Sequence, residues 1–398
     1  MSDAVFIVDA CRTPIGRFRG GLARVRPDDL AALVVGELVR RNPGVPPETI
    51  EEVWLGATNQ AGEDNRNVAR MAVLLAGLPL SVAGATVNRL CGSGLEAVQS
   101  AAAAMLAGRG ELMVAGGVES MSRAPFVMAK PDEPLPRRAD LVDTSLGWRL
   151  VNPRMPDEYT VSLGQTAEVL AREFAIEREE QDELALASHR KAVAAADAGW
   201  FDPELVPVPL PGPEAGVLAG DEGPRRDTDL DRLARLQPAF AADGTVTAGN
   251  SSALNDGAAA VLLATGAALE RYALDPLARV VHGSVAGVEP HRMGIGPVPA
   301  MRKALDRAGW CVDDLAVVEL NEAFAAQALA VLRELPIEPN RVNPRGGAIA
   351  VGHPIGCSGA RIVTTLVHQL AELPPGTRAA ATMCIGVGQG IAMLVERV

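Results

Sequence analysis

Asn88-Arg89-Leu90-Cys91-Gly92-Ser93-Gly94 is the stretch on which the reading of the chain turns. Gly84-Ala85-Thr86-Val87 before it reads as a short strand. Leu95 to Ala107 after it is rich in small and apolar residues, with Ala101 to Ala104 consecutive and no proline. Such a helix belongs inside a larger fold. Cys91 therefore sits at a strand-to-helix turn, beside the free N–H groups at the positive end of a buried helix. That placement is expected to lower its pKa and expose a thiolate. The competing reading is a small packed hydrophobe, since free cysteines are commonly buried and inert.

The remainder of the chain sets the frame. At 398 residues it is long enough for two or three domains or one large repeated core. Hydrophobic residues make up 48% but aromatics only 3%, so Ala, Val, Leu and Gly must build the interior. A net charge of −12 argues against nucleic acid or an anionic membrane as partner. Cys11, Cys91, Cys311, Cys357 and Cys384 form an odd set without disulfide spacing, as in a cytoplasmic protein with reduced thiols. Ala4 to Ala10 reads as a strand and not as a signal peptide, and no apolar run has membrane-spanning length.

The second half of the chain repeats the first. Val45 to Leu55 resembles Trp310 to Leu320, and Cys91-Gly92-Ser93-Gly94 resembles Gly356-Cys357-Ser358-Gly359. Both matches share one offset, since 315 − 50 and 359 − 94 equal 265. Gly257 to Leu263 against Gly390 to Val395 is offset by 133, so the first copy carries an insertion of 265 − 133 = 132 residues. Three matches in order argue for a duplicated fold. The insertion, residues 122–249, contains Pro-rich segments (Pro131 to Pro136, Pro203 to Pro213) and basic residues at Arg137, Arg138, Arg149 and Arg154. Amphipathic helices are predicted near Gly164 to Phe174 and Arg178 to Ala198. This region reads as a lid over a core of residues 1–121 with 250–271, followed by 272–398.

Further candidates stand in the second copy. His353 lies in the run Gly346 through Gly359, with Pro354 holding it extended. The helix after it is expected from Ala360 to Leu370. Cys384 precedes Gly386-Val387-Gly388-Gln389-Gly390. A nucleotide-binding loop is disfavoured there, because a strand follows where a phosphate-binding helix should begin; backbone N–H groups serving an oxyanion are the alternative. Asn321 ends a strand in Glu319-Leu320-Asn321-Glu322-Ala323-Phe324, where a capping role is the simplest account. Zinc held by Cys91, His353 and Cys384 lacks local metal-loop spacing and a fourth ligand. His189, His282, His291 and His368 read as surface or packing residues.

Together these motifs resemble the thiolases, the acyl-CoA:acetyl-CoA C-acyltransferases, over essentially the full length. The resemblance rests on Asn88 to Gly94, Asn321-Glu322-Ala323-Phe324-Ala325, Gly346 to Gly359, Cys384 to Gly390, and Thr245-Val246-Thr247-Ala248-Gly249-Asn250-Ser251-Ser252. It implies an α/β fold, a duplicated five-layer α-β-α-β-α core with an inserted lid, assembled as a homodimer or homotetramer. It also implies cleavage of a 3-ketoacyl-CoA to acetyl-CoA and a shortened acyl-CoA, as in fatty acid β-oxidation. Coenzyme A would be a co-substrate, with no permanently bound cofactor and no metal.

By the same resemblance Cys91 is the nucleophile and His353 its base, while Cys384 moves protons on the acetyl-CoA enolate and the second CoA. His353 and a water on Asn321 would hold the enolate; the N–H groups of Cys91 and Gly386 would hold the oxyanion, at about 3 kcal/mol each. Ser252 would touch the pantetheine arm and Arg225, in Gly223-Pro224-Arg225-Arg226, the adenine end. Thiolases selective for acetoacetyl-CoA usually carry His-Met where this chain has Ser162-Leu163, which leans toward a longer acyl chain. Pro344-Arg345 also departs from the usual pattern. Cys357 is expected to pack. The rival functions are an acetoacetyl-CoA-forming biosynthetic acetyltransferase, a decarboxylating ketosynthase, a cysteine hydrolase and a thiolase-like lipid-binding protein without activity. A ketosynthase would pair its cysteine with two His, or His and Asn, and the lipid-binding protein would have lost one of the three residues retained here.

Overall fold

The computed structural model describes residues 4–134, 137–212 and 216–398; Leu135 and Pro136 of one Pro-rich segment and Pro213 of the other lie outside them. The apolar stretches with strand-forming residues become β1 (Val5–Arg12), β2 (Glu52–Gly56), β3 (Ala83–Val87), β4 (Leu112–Ser120), β5 (Asn255–Thr265), β6 (Ala278–Gly287), β7 (Leu315–Leu320), β8 (Arg378–Ile385) and β9 (Gln389–Arg397). They run in the order β7-β8-β9-β6-β1-β5-β4-β2-β3, with the short strand Gly16–Arg17 added on β5.

The duplication is visible in the pairing. β1–β5 and β5–β4 are antiparallel and β4–β2 is parallel. In the second half β6–β9 and β9–β8 are antiparallel and β8–β7 is parallel. The halves join where β1 meets β6, Phe6 opposite Arg279 and Ile7 opposite Ala278, so the strands form one hydrogen-bonded path. β3 extends the first half at its edge.

Three apolar layers of contact give the order α-β-α-β-α. On the outer face of the first half, Leu30, Val34 and Leu38 of the helix Pro27–Arg41 pack against Val53, Leu55 and Val114. Between the halves lie the helices Ser93–Leu106 and Ile355–Leu370, whose Leu95, Val98, Ile362 and Val363 meet Ile7, Met113, Met383 and Ile391. Beyond the second half, Met301 and Leu305 of Pro297–Ala308 cover Val318 and Leu394. Strands sandwiched in this way are buried on both faces, as in all nine residues of β4.

The two central helices approach closely because both carry glycine at the contact. A Cβ on Gly94 would stand 2.7 Å from the Ala360 nitrogen, and one on Gly359 would stand 2.2 Å from the Leu95 nitrogen. Residue 94 meets 360 and residue 95 meets 359, the reciprocal pattern of a two-fold contact.

Among the described residues between Met121 and Asn250, no strand joins the large sheet. Two short hairpins, Phe126–Val127 with Val142–Asp143 and Val208–Pro209 with Val217–Leu218, accompany the helices Leu163–Glu173 and Arg178–Asp197. Both helices open on capping boxes, Ser162 with Gln165 and Glu177 with Glu180.

Two local expectations need correction. From the sequence, Arg12-Thr13-Pro14-Ile15-Gly16 reads as a turn after the first strand; Arg12 instead ends β1 fully buried, its Nε donating to Glu204 Oε1 at 2.6 Å and its Nη1 to Asp221 Oδ1 at 2.7 Å. The helix after His353 begins at Ile355, five residues ahead of Ala360. Its Gly356-Cys357-Ser358-Gly359 turn disguises a helix because glycine has poor helix propensity; here packing against the Cys91 helix overrides it.

Candidate active site

The Cys91 turn is built by its neighbours. Leu90 takes a left-handed conformation, φ 48°, which costs a non-glycine residue on the order of 1 kcal/mol. Asn88 Oδ1 accepts from the Leu90 N–H at 2.9 Å, and the Ser93 hydroxyl donates to the Leu90 carbonyl at 2.6 Å. Gly92 lets this turn lie against β8, since a Cβ there would stand 2.6 Å from Ile385 Cδ1.

Cys91 and Gly386 line the same cavity, and their backbone N–H groups lie close enough to the Cys91 sulfur to favour its charged form. They are the two donors expected to hold the oxyanion. The expected fall in the Cys91 pKa is not found. Burial pushes the thiol up to about 11, with those two N–H groups offsetting only part of the shift. Cys384, at the end of β8, is buried; desolvation raises its thiol as well, with the nearby Cys91 adding to the effect.

His353 is held from both sides of its loop. Its N–H donates to Asn255 Oδ1 at 2.9 Å, and Nδ1 lies 2.6 Å from Ser358 Oγ. Ser358 gives its single proton to the Pro354 carbonyl at 2.9 Å. Nδ1 is therefore the donor to Ser358, and Nε2 is the lone-pair nitrogen left to take a proton. Burial lowers the imidazole pKa to about 3, with Arg361 adding to the shift. Cys91 and His353 are thus both neutral at pH 7, a thiol with a base rather than a preformed ion pair.

Buried carboxylates brace the loops. Glu119 Oε2 accepts from Gly356 N–H at 2.9 Å and from the Thr58 hydroxyl at 2.7 Å, tying the His353 loop to a strand end of the first half. Glu322 accepts from the Ser188 hydroxyl and from Asn343 Nδ2, each at 2.7 Å. Asn321 is fully buried, and neither of its side-chain polar atoms has a partner among the described residues. Buried amides of this kind normally have a partner, so Asn321 is equipped to receive one from solvent or substrate.

Two cavities adjoin these residues. One, about 440 Å³, is lined by Cys91, Gly386, Leu90, Ile355, Leu163 and Arg149 among others. Leu163, one of the two residues standing in place of His-Met, thus shares a cavity wall with Cys91. The other cavity, about 470 Å³, is lined by Arg17, Arg225, Arg232, His189, Asn255 and Gly352. Gly223 allows the Arg225 loop to lie on the His353 loop, since a Cβ there would stand 2.2 Å from the Ala350 carbonyl oxygen. His189, read from the sequence as a packing residue, accepts from the Arg225 N–H at 3.2 Å; burial pushes its pKa down to about 4, so it stays neutral. Arg226 is elsewhere, paired with Asp197. Ser252 spends its hydroxyl on the Ala323 carbonyl at 3.0 Å, while its neighbours Ser251 and Ala253 line the cavity. A further cavity of about 510 Å³, by Glu51, Arg109 and Glu111, holds none of the candidate residues.

Cys357 is fully buried beside Ala259 and Ala360, its thiol pushed up to about 12 by desolvation, as fits packing. Arg345 stacks over Trp200 with its guanidinium 5.3 Å from the ring centre and pairs with Glu372, which accounts for the Pro344-Arg345 departure. Ser358, Asn255, Glu119 and Glu322 were missed from the sequence. The only signal for Ser358 was its place in the repeat of Cys91-Gly92-Ser93-Gly94.

Comparison with known proteins agrees with the geometry. Residues 5–267 match the thiolase N-terminal domain and residues 274–397 the thiolase C-terminal domain. The chain is 55% identical to a β-ketoadipyl-CoA thiolase of Pseudomonas aeruginosa, with 100% of both chains covered. It is 54% identical to a 3-oxoadipyl-CoA/3-oxo-5,6-dehydrosuberyl-CoA thiolase of Escherichia coli K12, covering 99% of each. An acetyl-CoA acetyltransferase of Bacillus anthracis superposes with a TM-score of 0.93 at 42% identity, over 100% of this chain and 99% of that one. With both domains matched in order on a duplicated core that carries Cys91, His353 and Cys384, this chain belongs to the thiolase family, acyltransferases that use coenzyme A as a co-substrate.

Proposed function

We propose that this thiolase cleaves a 3-ketoacyl-CoA whose acyl chain ends in a carboxylate, of the 3-oxoadipyl-CoA type, in place of the fatty acid β-oxidation role expected from the sequence. The observation that carries the chemistry is that Cys91 and Gly386 line one cavity with Cys384 close to Cys91, while His353 is held as a neutral base by Asn255 and Ser358. The substrate class follows from relatives more than half identical over the whole chain, named for dicarboxylic 3-oxoacyl thioesters.

His353 Nε2 takes the Cys91 proton as the sulfur attacks the C3 carbonyl, so no free thiolate need accumulate. The oxyanion is held by the two N–H groups, worth about 3 kcal/mol each to the transition state. The C2–C3 bond then breaks. The electron pair passes to an acetyl-CoA enolate held by His353 and by water on Asn321, and Cys384 protonates its C2. Cys384, protonated at rest because burial raises its pKa, suits the acid role. It then accepts the proton of a second CoA, whose sulfur removes the acyl group from Cys91. Arg225 and the Ser251–Ala253 segment put the CoA in the cavity they line.

A homodimer or homotetramer fits the free edge of β3, flanked by exposed Leu74, Leu75 and Leu80. Five unpaired thiols among the described residues suit the reducing cytoplasm.

The test is thiolysis of acetoacetyl-, 3-oxoadipyl- and 3-oxopalmitoyl-CoA by wild type and Cys91→Ala, followed by loss of the Mg-enolate absorbance. The highest kcat/KM is expected on 3-oxoadipyl-CoA, with activity abolished in the variant. An optimum on the long chain would restore the β-oxidation reading, and activity surviving in Cys91→Ala would remove the covalent mechanism.

A further inference from the structure

Several arginines of the insertion, Arg172, Arg190 and Arg225 among them, have no ion pair among the described residues, but of all these arginines only Arg149 lines the cavity that Cys91 also lines. Arg123, Arg138, Arg178 and Arg226 each pair with a carboxylate. Arg149 has no ion pair and no side-chain hydrogen bond among the described residues, although it is only half exposed and lines the same cavity as Cys91. No aspartate or glutamate contributes to that cavity's wall. A cation on an acid-free cavity wall shared with Cys91, in a chain of net charge −12, suits an anion supplied from outside.

The position is fixed by its neighbour. Trp148 Nε1 donates to the Val161 carbonyl at 3.1 Å, and its ring edge lies over Gly386, where a Cβ would stand 2.8 Å from Trp148 Cη2. The segment bearing Arg149 is thus clamped against the glycine whose N–H lies close to the Cys91 sulfur. The phosphates of CoA have a separate basic lining in the cavity of Arg17 and Arg225, so Arg149 is not needed for them.

We propose that Arg149 binds the terminal carboxylate of the acyl chain and is the residue that selects a dicarboxylic 3-ketoacyl-CoA over its methyl-ended counterpart. This rests on the substrate class proposed above. The guanidinium fork can meet a carboxylate through two parallel hydrogen bonds, whereas a methyl-ended chain would leave it desolvated and unpaired.

The test compares 3-oxoadipyl-CoA with 3-oxohexanoyl-CoA, equal in chain length, on wild type, Arg149→Met and Arg149→Lys. The Met variant is expected to lose about 30-fold in kcat/KM on 3-oxoadipyl-CoA, mostly through KM, and to stay within about 2-fold on 3-oxohexanoyl-CoA. Lysine should recover part of the loss, as a point charge without the fork. Arg149→Gln repeats the comparison if circular dichroism shows the Met variant unfolded. A wild-type preference for 3-oxoadipyl-CoA with equal losses on both substrates, or none on either, overturns the role of Arg149 alone. A wild type without that preference overturns the substrate class, and Arg149 with it.

Discussion

Cys91 shows two opposing effects on one thiol, and their sizes decide the outcome. A helix N-terminus stabilises a nearby negative charge by about 0.3–1 kcal/mol, under one pH unit at about 1.36 kcal/mol each. Burial can move a pKa by about 3–5 units, and here it pushes the thiol up to about 11. Below that value the thiolate fraction grows tenfold for each unit of pH. Iodoacetamide alkylation of Cys91, mapped by peptide mass, is therefore expected to rise steadily from pH 6 to pH 9. A plateau near neutrality would show a preformed thiolate instead. Cys91, His353 and Cys384 could be picked out as candidates because each sits beside glycines in a motif. Ser358, Asn255 and Glu119 could not: each is a common residue type, and its role depends on a partner up to 237 positions away.

Among the elements, the pair of central helices separates what glycine does by propensity from what it does by space. Gly36, inside the helix Pro27–Arg41, has room for a side chain: a Cβ would lie 3.6 Å from Ala76 Cβ. Gly36→Ala is expected to stabilise the protein by about 0.5–1 kcal/mol, the helix-propensity gain. Gly359→Ala makes the same chemical change where the new carbon would stand 2.2 Å from the Leu95 nitrogen. Forcing the two helices apart is expected to cost about 1–3 kcal/mol, and to lower kcat as well, since Cys91 and Ser358 sit at the ends of these helices. Urea denaturation of both variants checks the opposite signs; a Gly359→Ala protein as stable as wild type would mean the helices separate freely. The strands and helices themselves were largely readable from apolar patterning. The start of the His353 helix was not, because its glycines are there for the neighbour's backbone.

For the molecule as a whole, one buried cation forms a strong tie between the insertion and the core. Arg12 ends β1 of the core, while Glu204 and Asp221 come from the insertion; Thr365, in the His353 helix, also donates to Glu204 at 3.2 Å. Arg12→Met leaves two buried carboxylates without their counterion and is expected to cost about 3–5 kcal/mol, measured as a lowered thermal midpoint. Arg226→Met removes a fully exposed pair with Asp197 and should leave the midpoint unchanged. Equal effects of the two substitutions would mean that the Arg12 cluster does not bind insertion to core. In the sequence Arg12 looked like a turn residue, since nothing near it in the chain announces partners 192 and 209 positions away.

The amino-acid sequence by itself determined the duplicated α/β core, the interruption of its first copy and the turn that carries Cys91. All three are written in local patterns: apolar periodicity, a shared offset of 265, and small residues where backbone must approach backbone. Tertiary structure alone decided the burial that keeps Cys91 and His353 neutral, the His353 nitrogen that is tied to Ser358, and which of the scattered arginines lines the Cys91 cavity. Those properties arise from desolvation and from charges and hydrogen bonds between segments far apart in the chain, and both come into being only when the segments pack.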